Sequence, residues 1–387
     1  MKNVFIVGAA RTAIGDFGGV FRSVSAIDLM VPTMKAAISR ASLTEQQIDK
    51  VILGNTLSPL DPNIARIASI ASGVPKEVPS FSIHCACASG MQALISGASA
   101  LALGEAETAL VGGVESMSNA PHVSPSARWG QRLRHTQNID LLWWGMQEAP
   151  VMGGVGQAAD ALAKELNITR EEQDELSYSS HMRAVTAQKE GLFADQIIPI
   201  TVKNKQISTD EHPRADTTLE SLRTLQPAFS KDGTVTPGNS SAINDGAAAI
   251  VLATEKACKE NGLRPLASVG VWSVVAREPR YVGLAPVTAI WNVLEKSRLS
   301  LSDVGLIEMN EAFAAFYLAC EKEMKLDRNK VNVNGSGISL GHPVGATGAR
   351  ITVTLLYEMM RRDTTFGISS LCAGGGMGYA ILLRRDL

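Results

Sequence analysis

A strand-like stretch early in the chain, Ile48-Asp49-Lys50-Val51-Ile52-Leu53-Gly54-Asn55, returns in worn form late in it as Ser302-Asp303-Val304-Gly305-Leu306-Ile307-Glu308-Met309-Asn310. After each copy a helical pattern leads to a short strand, then to a Gly- or Ser-rich turn that opens another helix. That turn is Cys87-Ala88-Ser89-Gly90 in the first half and Gly341-His342-Pro343-Val344-Gly345 in the second. Each half closes on a strand running into glycines, Leu110-Val111-Gly112-Gly113 and Leu371-Cys372-Ala373-Gly374-Gly375-Gly376. Repeated units of this kind bury their apolar faces against one another. Duplicated halves that face each other bring their equivalent turns to a shared centre.

The elements within each half are of the α/β type, strand-like runs alternating with amphipathic stretches. Strands are expected at Val4–Val7, Val51–Leu53, Val78–Ile83, Ala109–Gly112, Ala248–Ala253, Ser268–Val275, Leu306–Met309, Gly367–Leu371 and Tyr379–Leu383. Helices are expected at Ser25–Ala41, Ile64–Ser72, Ser89–Leu103, Val287–Lys296 and Ala346–Met360. The pattern breaks between the halves. Pro, Ser, Arg and Trp cluster from Ala120 to Trp144, followed by helices at Gly156–Leu166 and Arg170–Glu190. This divides the 387 residues into an N-terminal half (1–115 plus 245–265), an inserted loop domain (116–244) and a C-terminal half (266–387). Long insertions in such folds serve as lids or binding loops.

Composition narrows the function classes. A net charge of −2 gives no global field for nucleic acid or anionic lipid, so an anionic ligand needs a local cluster of positive groups. No run of 18 apolar residues is evident, and no membrane span is expected. The opening Met1-Lys2-Asn3-Val4-Phe5-Ile6-Val7-Gly8 goes straight into a strand-like run, which reads as cytoplasmic. The five cysteines, Cys85, Cys87, Cys258, Cys320 and Cys372, are too few and too irregular for a disulfide framework, and they lack zinc-site spacing. Reduced thiols follow.

Four elements could carry chemistry. Cys87 stands where a strand gives way to a helix; a helix N-terminus favours a thiolate, although a cysteine is as often a small packed hydrophobe. Cys85, two residues back, is either packed or a resolving thiol. His342 lies in a glycine-rich turn with a proline fixing the next φ, as a turn residue or a base; the Lys-Ser/Thr ending of a P-loop is missing there. Cys372 leads into three glycines, so its sulfur is uncrowded and the N–H groups nearby are free to line an oxyanion hole, unless it is a plain strand-end residue. Asn310 occupies an N-cap position or orients a water.

Taken together, Cys87-Ala88-Ser89-Gly90, Asn239-Ser240-Ser241-Ala242-Ile243-Asn244-Asp245-Gly246-Ala247-Ala248, Asn310-Glu311-Ala312-Phe313-Ala314, Gly341-His342-Pro343-Val344-Gly345 and Cys372-Ala373-Gly374-Gly375-Gly376 resemble the thiolases. These are the acetyl-CoA acetyltransferase and 3-ketoacyl-CoA thiolase family, and the resemblance spans essentially the whole chain in the family's motif order. It implies a duplicated fold layered αβαβα. It implies an acyl-CoA C-acyltransferase that cleaves 3-ketoacyl-CoA with CoA, or runs the reverse Claisen condensation, through an acyl-cysteine. By the same resemblance Cys87 is the nucleophile, His342 takes its proton, and Cys372 is acid and base at the substrate Cα. One oxyanion site uses His342 with a water held by Asn310; the other uses the N–H groups of Cys87 and Gly374. Ser241 contacts the pantetheine arm and Arg214 lies near the adenine end of CoA. Coenzyme A is then substrate and product, no cofactor stays bound, and the enzyme is a homodimer or homotetramer. If the φ of Gly374 is positive, no Cβ is tolerated there.

Two departures stand out. His84 replaces the Asn that thiolases commonly carry three residues before the nucleophile. Gly154-Val155-Gly156 replaces the His-Met-Gly run of the short-chain biosynthetic members, leaving longer or unusual acyl chains open. The alternatives are a decarboxylating ketosynthase-type enzyme, against which the second thiol argues, and a non-catalytic thiolase-like subunit of a complex.

Overall fold

The computed structural model describes residues 3–130, 132–133 and 135–386. Met1, Lys2, Gln131, Arg134 and Leu387, inside the stretches discussed above, lie outside the described residues.

Nine strands make the body of one mixed sheet: β1 (Val4–Thr12), β2 (Val51–Gly54), β3 (Ser80–Ile83), β4 (Thr108–Ser116), β5 (Asn244–Thr254), β6 (Ala267–Ala276), β7 (Leu306–Met309), β8 (Phe366–Ala373) and β9 (Met377–Arg384). Their spatial order is β7-β8-β9-β6-β1-β5-β4-β2-β3, and the two-residue strands Gly15–Asp16 and Ile197–Ile198 pair with β5 and β1. The halves meet where β1 pairs antiparallel with β6 through Phe5–Ser268 and Ile6–Ala267. Outward from that seam, β1-β5-β4-β2 corresponds to β6-β9-β8-β7. The parallel pairs stand at matching places, β2 with β4 and β7 with β8. The duplication faint in the sequence is explicit in this order.

The main helices are α1 (Ala26–Arg40), α2 (Ile64–Ser72), α3 (Ser89–Leu103), α4 (Val155–Glu165), α5 (Arg170–Lys189), α6 (Ala285–Ser297), α7 (Ala314–Met324), α8 (Gly337–Leu340) and α9 (Val344–Arg361). Successive side chains of a strand point to opposite faces, and here both faces are buried. Ala247, Ala249, Val251 and Ala253 of β5 enter a core shared with α1. Ala248, Ile250 and Leu252 join a central core with α3, α9 and the inner residues Leu371, Tyr379 and Ile381 of β8 and β9. Ile368, Cys372 and Ala380 face a third core with α4, α6 and α7. Strands covered on both sides read as near-continuous apolar runs, and the resulting order of layers is α, β, α, β, α.

The central helices α3 and α9 cross closely because glycines meet there. A Cβ on Gly348 would stand 2.5 Å from the Met91 nitrogen, and one on Gly90 would stand 3.0 Å from the Gly345 carbonyl. That crossing carries the ends of both helices, and hence Cys87 and His342, to the same place. The segment Ala86–Leu103 is also long and apolar enough to cross a membrane, against the expectation that no such run exists. It packs instead as α3 between β4 and α9. The inserted segment is tied to β1 by a fully buried pair: the Arg11 guanidinium donates to both Asp210 oxygens, at 2.7 and 2.9 Å. Such bidentate geometry is the strong form of an ion pair.

Candidate active site

Between the end of β3 and the start of α3 the chain makes a tight turn in which Ala86 has a φ of +47°. Ser89, the first residue of α3, locks it: its Oγ accepts from the Cys85 N–H at 2.9 Å and donates to the Ala86 carbonyl at 2.7 Å. The Cys87 sulfur is thereby presented to a cavity, with the N–H groups of Gly374 and of Cys87 itself directed at it. The helix does not make it a thiolate. Burial pushes the thiol up to about 11, and the two N–H groups only partly offset that. Cys87 lies one residue ahead of the Ala88 cap, and the desolvation of its sulfur outweighs the dipole. Cys85 packs its thiol against the buried Tyr379 hydroxyl.

His342 sits in the turn between α8 and α9. Gly341 has a φ of +101°, and a Cβ there would fall 2.5 Å from the Asn244 side chain, so only glycine passes. Asn244 in turn fixes the turn, its Oδ1 accepting from the His342 N–H at 2.9 Å. The imidazole Nδ1 lies 2.6 Å from Thr347 Oγ1, whose hydroxyl donates to the Pro343 carbonyl at 2.9 Å. A hydroxyl has one hydrogen. With that hydrogen on Pro343, Thr347 accepts from Nδ1–H, and Nε2 carries the lone pair. Nε2 is buried with no hydrogen-bond partner among the described residues. Burial, assisted by the charge of Arg350, lowers the imidazole to about 3, so it is neutral at physiological pH.

Cys372 is the next-to-last residue of β8, and the turn to β9 runs through Gly374, Gly375 and Gly376. Burial, then its neighbours Cys87 and Cys320, pushes the Cys372 thiol well above the usual range. Positive φ belongs to Gly375 (+83°) and Gly376 (+86°), not to Gly374. A Cβ on Gly374 would meet the Met152 carbonyl at 3.2 Å, a tight contact rather than a forbidden one.

Asn310 is not an N-cap. Helix α7 begins at Ala314 with Phe313 as its cap, because after β7 the chain bends at Ala312 and bridges Ser240 through the extended Phe313 before turning helical. The Asn310 N–H donates to the Ser370 carbonyl at 3.0 Å, while its side-chain amide is buried and without a partner among the described residues. Asn310 is not among the residues lining the cavity, and the other three polar positions are.

That cavity, of ≈ 570 Å³, is lined by Cys87, His342, Cys372 and Gly374, with Phe229 and Phe313 among its apolar walls. Ser241 and Arg214 line it too. A second cavity of ≈ 360 Å³ shares His212, Arg214, Pro237 and Ser240 with it. His84 is exposed and outside both cavities, its Nδ1 accepting from the Ala86 N–H at 3.4 Å. Sequence reasoning missed three supports. Thr347 and Asn244 set the imidazole; the latter stood unremarked inside a quoted motif. Glu115 clamps the halves together, accepting from Asn55 Nδ2 at 2.8 Å, from the Leu57 N–H at 3.0 Å and, across the seam, from the Gly345 N–H at 3.0 Å. Burial lifts its carboxyl to about 7 against those donors.

Two thiols and a neutral imidazole around an apolar chamber suit acyl transfer, and comparison with known proteins agrees. The family model for the thiolase N-terminal domain matches residues 4–256, and that for the thiolase C-terminal domain matches 263–385. The chain belongs to the thiolase family. An acetyl-CoA acetyltransferase of Escherichia coli (strain K12) is 45% identical to it over 392 residues, covering 100% of both chains. Among solved structures, the Bacillus anthracis acetyl-CoA acetyltransferase superposes with a TM-score of 0.96 at 47% identity, covering 99% of each chain. Human mitochondrial 3-ketoacyl-CoA thiolase in complex with CoA superposes with a TM-score of 0.97 at 40% identity, covering 100% of this chain and 98% of the other. The layered, duplicated architecture of this chain is the thiolase fold.

Proposed function

We propose that this thiolase is an acyl-CoA C-acyltransferase that works through an acyl group on Cys87. The observation that carries the reading is the meeting, in one cavity, of two thiols and an imidazole whose Nε2 lone pair is unclaimed. In the degradative direction Nε2 of His342 accepts the Cys87 proton as the sulfur attacks the keto carbon of a 3-ketoacyl-CoA. The thiol is high and the imidazole low in pKa, so proton transfer lies uphill before substrate binds and accompanies formation of the S–C bond. The developing oxyanion accepts from the N–H groups of Cys87 and Gly374.

The Cα–C bond then breaks, leaving the acyl group on Cys87. The departing acetyl-CoA carbanion takes the proton of Cys372; its thioester oxygen accepts from the now protonated Nε2 and from a water on Asn310. The buried, unpartnered Asn310 amide supports that water site, because such groups are rarely left unpaired. The Cys372 thiolate removes the proton of an incoming CoA thiol, whose sulfur takes the acyl group, and Cys87 leaves with the proton held by His342. Synthesis is the same sequence reversed. Coenzyme A is substrate and product, and nothing stays bound between cycles. Ser241 holds the pantetheine arm, and Arg214, where the two cavities join, faces the charged end of CoA.

We further infer the division into two halves and an inserted domain stated above, and a cytoplasmic homodimer or homotetramer. The last has support in β3, the end strand of the sheet, which among the described residues pairs with β2 alone and exposes Phe81; an open edge of this kind recruits a second chain. CoA-dependent cleavage of acetoacetyl-CoA by the purified chain tests the function. Activity abolished in Cys87→Ala supports it, and activity indifferent to Cys87 refutes it.

A further inference from the structure

The chamber holding the two thiols shares part of its apolar wall with a smaller cavity. Val155, at the start of α4, and Val282, in the turn Pro279–Leu284 ahead of α6, line it on one side. The same two valines line another cavity, of ≈ 140 Å³, on the other side. Met152 stands beside this partition and leans on the thiol-bearing turn: a Cβ on Gly375 would come 2.7 Å from its Sδ, and one on Gly374 would come 3.3 Å from its Cε. An unbranched thioether of this kind shifts at little cost.

The side chains that line the smaller cavity are apolar except for Arg280. Val151, Ala158 and Pro279 complete its apolar lining, and Arg280 stands at its rim. Arg280 is already engaged, with its Nε 3.0 Å from Glu278 and its guanidinium 4.5 Å from the Tyr281 ring centroid. The rim therefore offers no unpaired charge, and no buried polar atom of these residues demands a hydrogen bond. Hydrocarbon suits such a space, whereas a second carboxylate gains nothing there. Two short branched side chains make a low partition between the reacting sulfurs and that space, and Met152 is its movable edge.

Resting on the acyltransferase reading above, we propose that the smaller cavity receives the chain of the acyl group carried on Cys87, and that this enzyme prefers 3-ketoacyl-CoAs with unbranched apolar chains longer than that of acetoacetyl-CoA. Each methylene moved from water into such a site is worth a factor of about four in kcat/KM. The gain stops where the chain passes Val151, which is exposed.

The test is kcat/KM for 3-ketooctanoyl-CoA divided by that for acetoacetyl-CoA. It is measured in the wild type, in Ala158→Phe, which fills only the smaller cavity, and in Val282→Met, which thickens the partition from a different element. Thermal melts identify the folded variants. The wild-type ratio is expected above about 10, falling at least tenfold in either variant, and in Ala158→Phe falling through the longer substrate. A wild-type ratio of one or less overturns the proposal, as does a ratio that folded Ala158→Phe and Val282→Met leave within twofold of wild type. Failure to cleave either substrate would instead refute the acyltransferase reading on which it rests, a result distinct from cleavage without chain-length preference.

Discussion

Replacing Thr347 with valine removes one hydroxyl and keeps the shape, and its consequence can be worked from three atoms. Thr347 Oγ1 is 2.6 Å from His342 Nδ1 and 2.9 Å from the Pro343 carbonyl. The carbonyl can only accept, so the hydroxyl hydrogen belongs to it and the imidazole hydrogen lies on Nδ1. In Thr347→Val that buried N–H has no acceptor, a penalty of about 1–3 kcal/mol. The Nδ1–H tautomer thereby loses its advantage over the Nε2–H form, a change of about 5–150 in their ratio. That form offers no lone pair toward Cys87. Acylation of Cys87, followed by rapid quench with acetyl-CoA, is expected to slow more than twofold and by at most this factor, with Thr347→Ser restoring most of the rate. A folded Thr347→Val that acylates within twofold of wild type, with Thr347→Ser no faster, would show that the hydroxyl does not set the tautomer.

The pH dependence of Cys87 follows from its burial. A thiol held at about 11 is almost wholly protonated at neutral pH, so alkylation by iodoacetamide should climb about tenfold per pH unit from 7 to 10; a plateau below pH 8 would indicate a standing thiolate instead. In Cys372→Ala, acylation of Cys87 by acetyl-CoA should persist, slowed because the departing CoA sulfur loses its proton donor, while cleavage of acetoacetyl-CoA falls by at least ~10²; complete loss of acylation would contradict that division. Gly374→Ala should fold and lose about 10–10² in kcat, since its neighbours can yield by a few tenths of an ångström and shift one N–H. Gly376→Ala, with a φ of +86° and a Cβ placed 2.3 Å from the Arg277 carbonyl, should melt distinctly lower, by strain of about 1–3 kcal/mol or more; equal melting temperatures would contradict the backbone geometry.

What the sequence carries well is local. Its periodicity yields the strands around Val51–Gly54 and Leu306–Met309 and the helix Ser89–Leu103, because alternation and glycine punctuation act over a few residues. Motif order is equally legible, and it brings Cys87, His342 and Cys372 to a common centre. Where burial decides, sequence reasoning fails. The helix start beside Cys87 suggests a thiolate, but desolvation is set by cavity walls drawn from all along the chain. Asn310 looks like a cap because it follows a strand and precedes a helix, yet three more residues pass before the first helical turn. Glu115 and Gly345 are remote in sequence, and nothing in either neighbourhood announces that a carboxylate of β4 will hold the histidine turn. The sequence leaves open whether Gly374 has a positive φ; the positive φ values fall at Gly375 and Gly376, a register that only the β8–β9 pairing fixes.

Mass analysis of the quenched acyl-enzyme bears most directly on the account. After brief exposure to acetyl-CoA, digestion should yield one acetyl group per chain on the peptide carrying Cys87, discharged by added CoA and missing from Cys87→Ala. An acetyl group found on Cys372 or Cys85, or turnover with no acylated cysteine at any time, would contradict it.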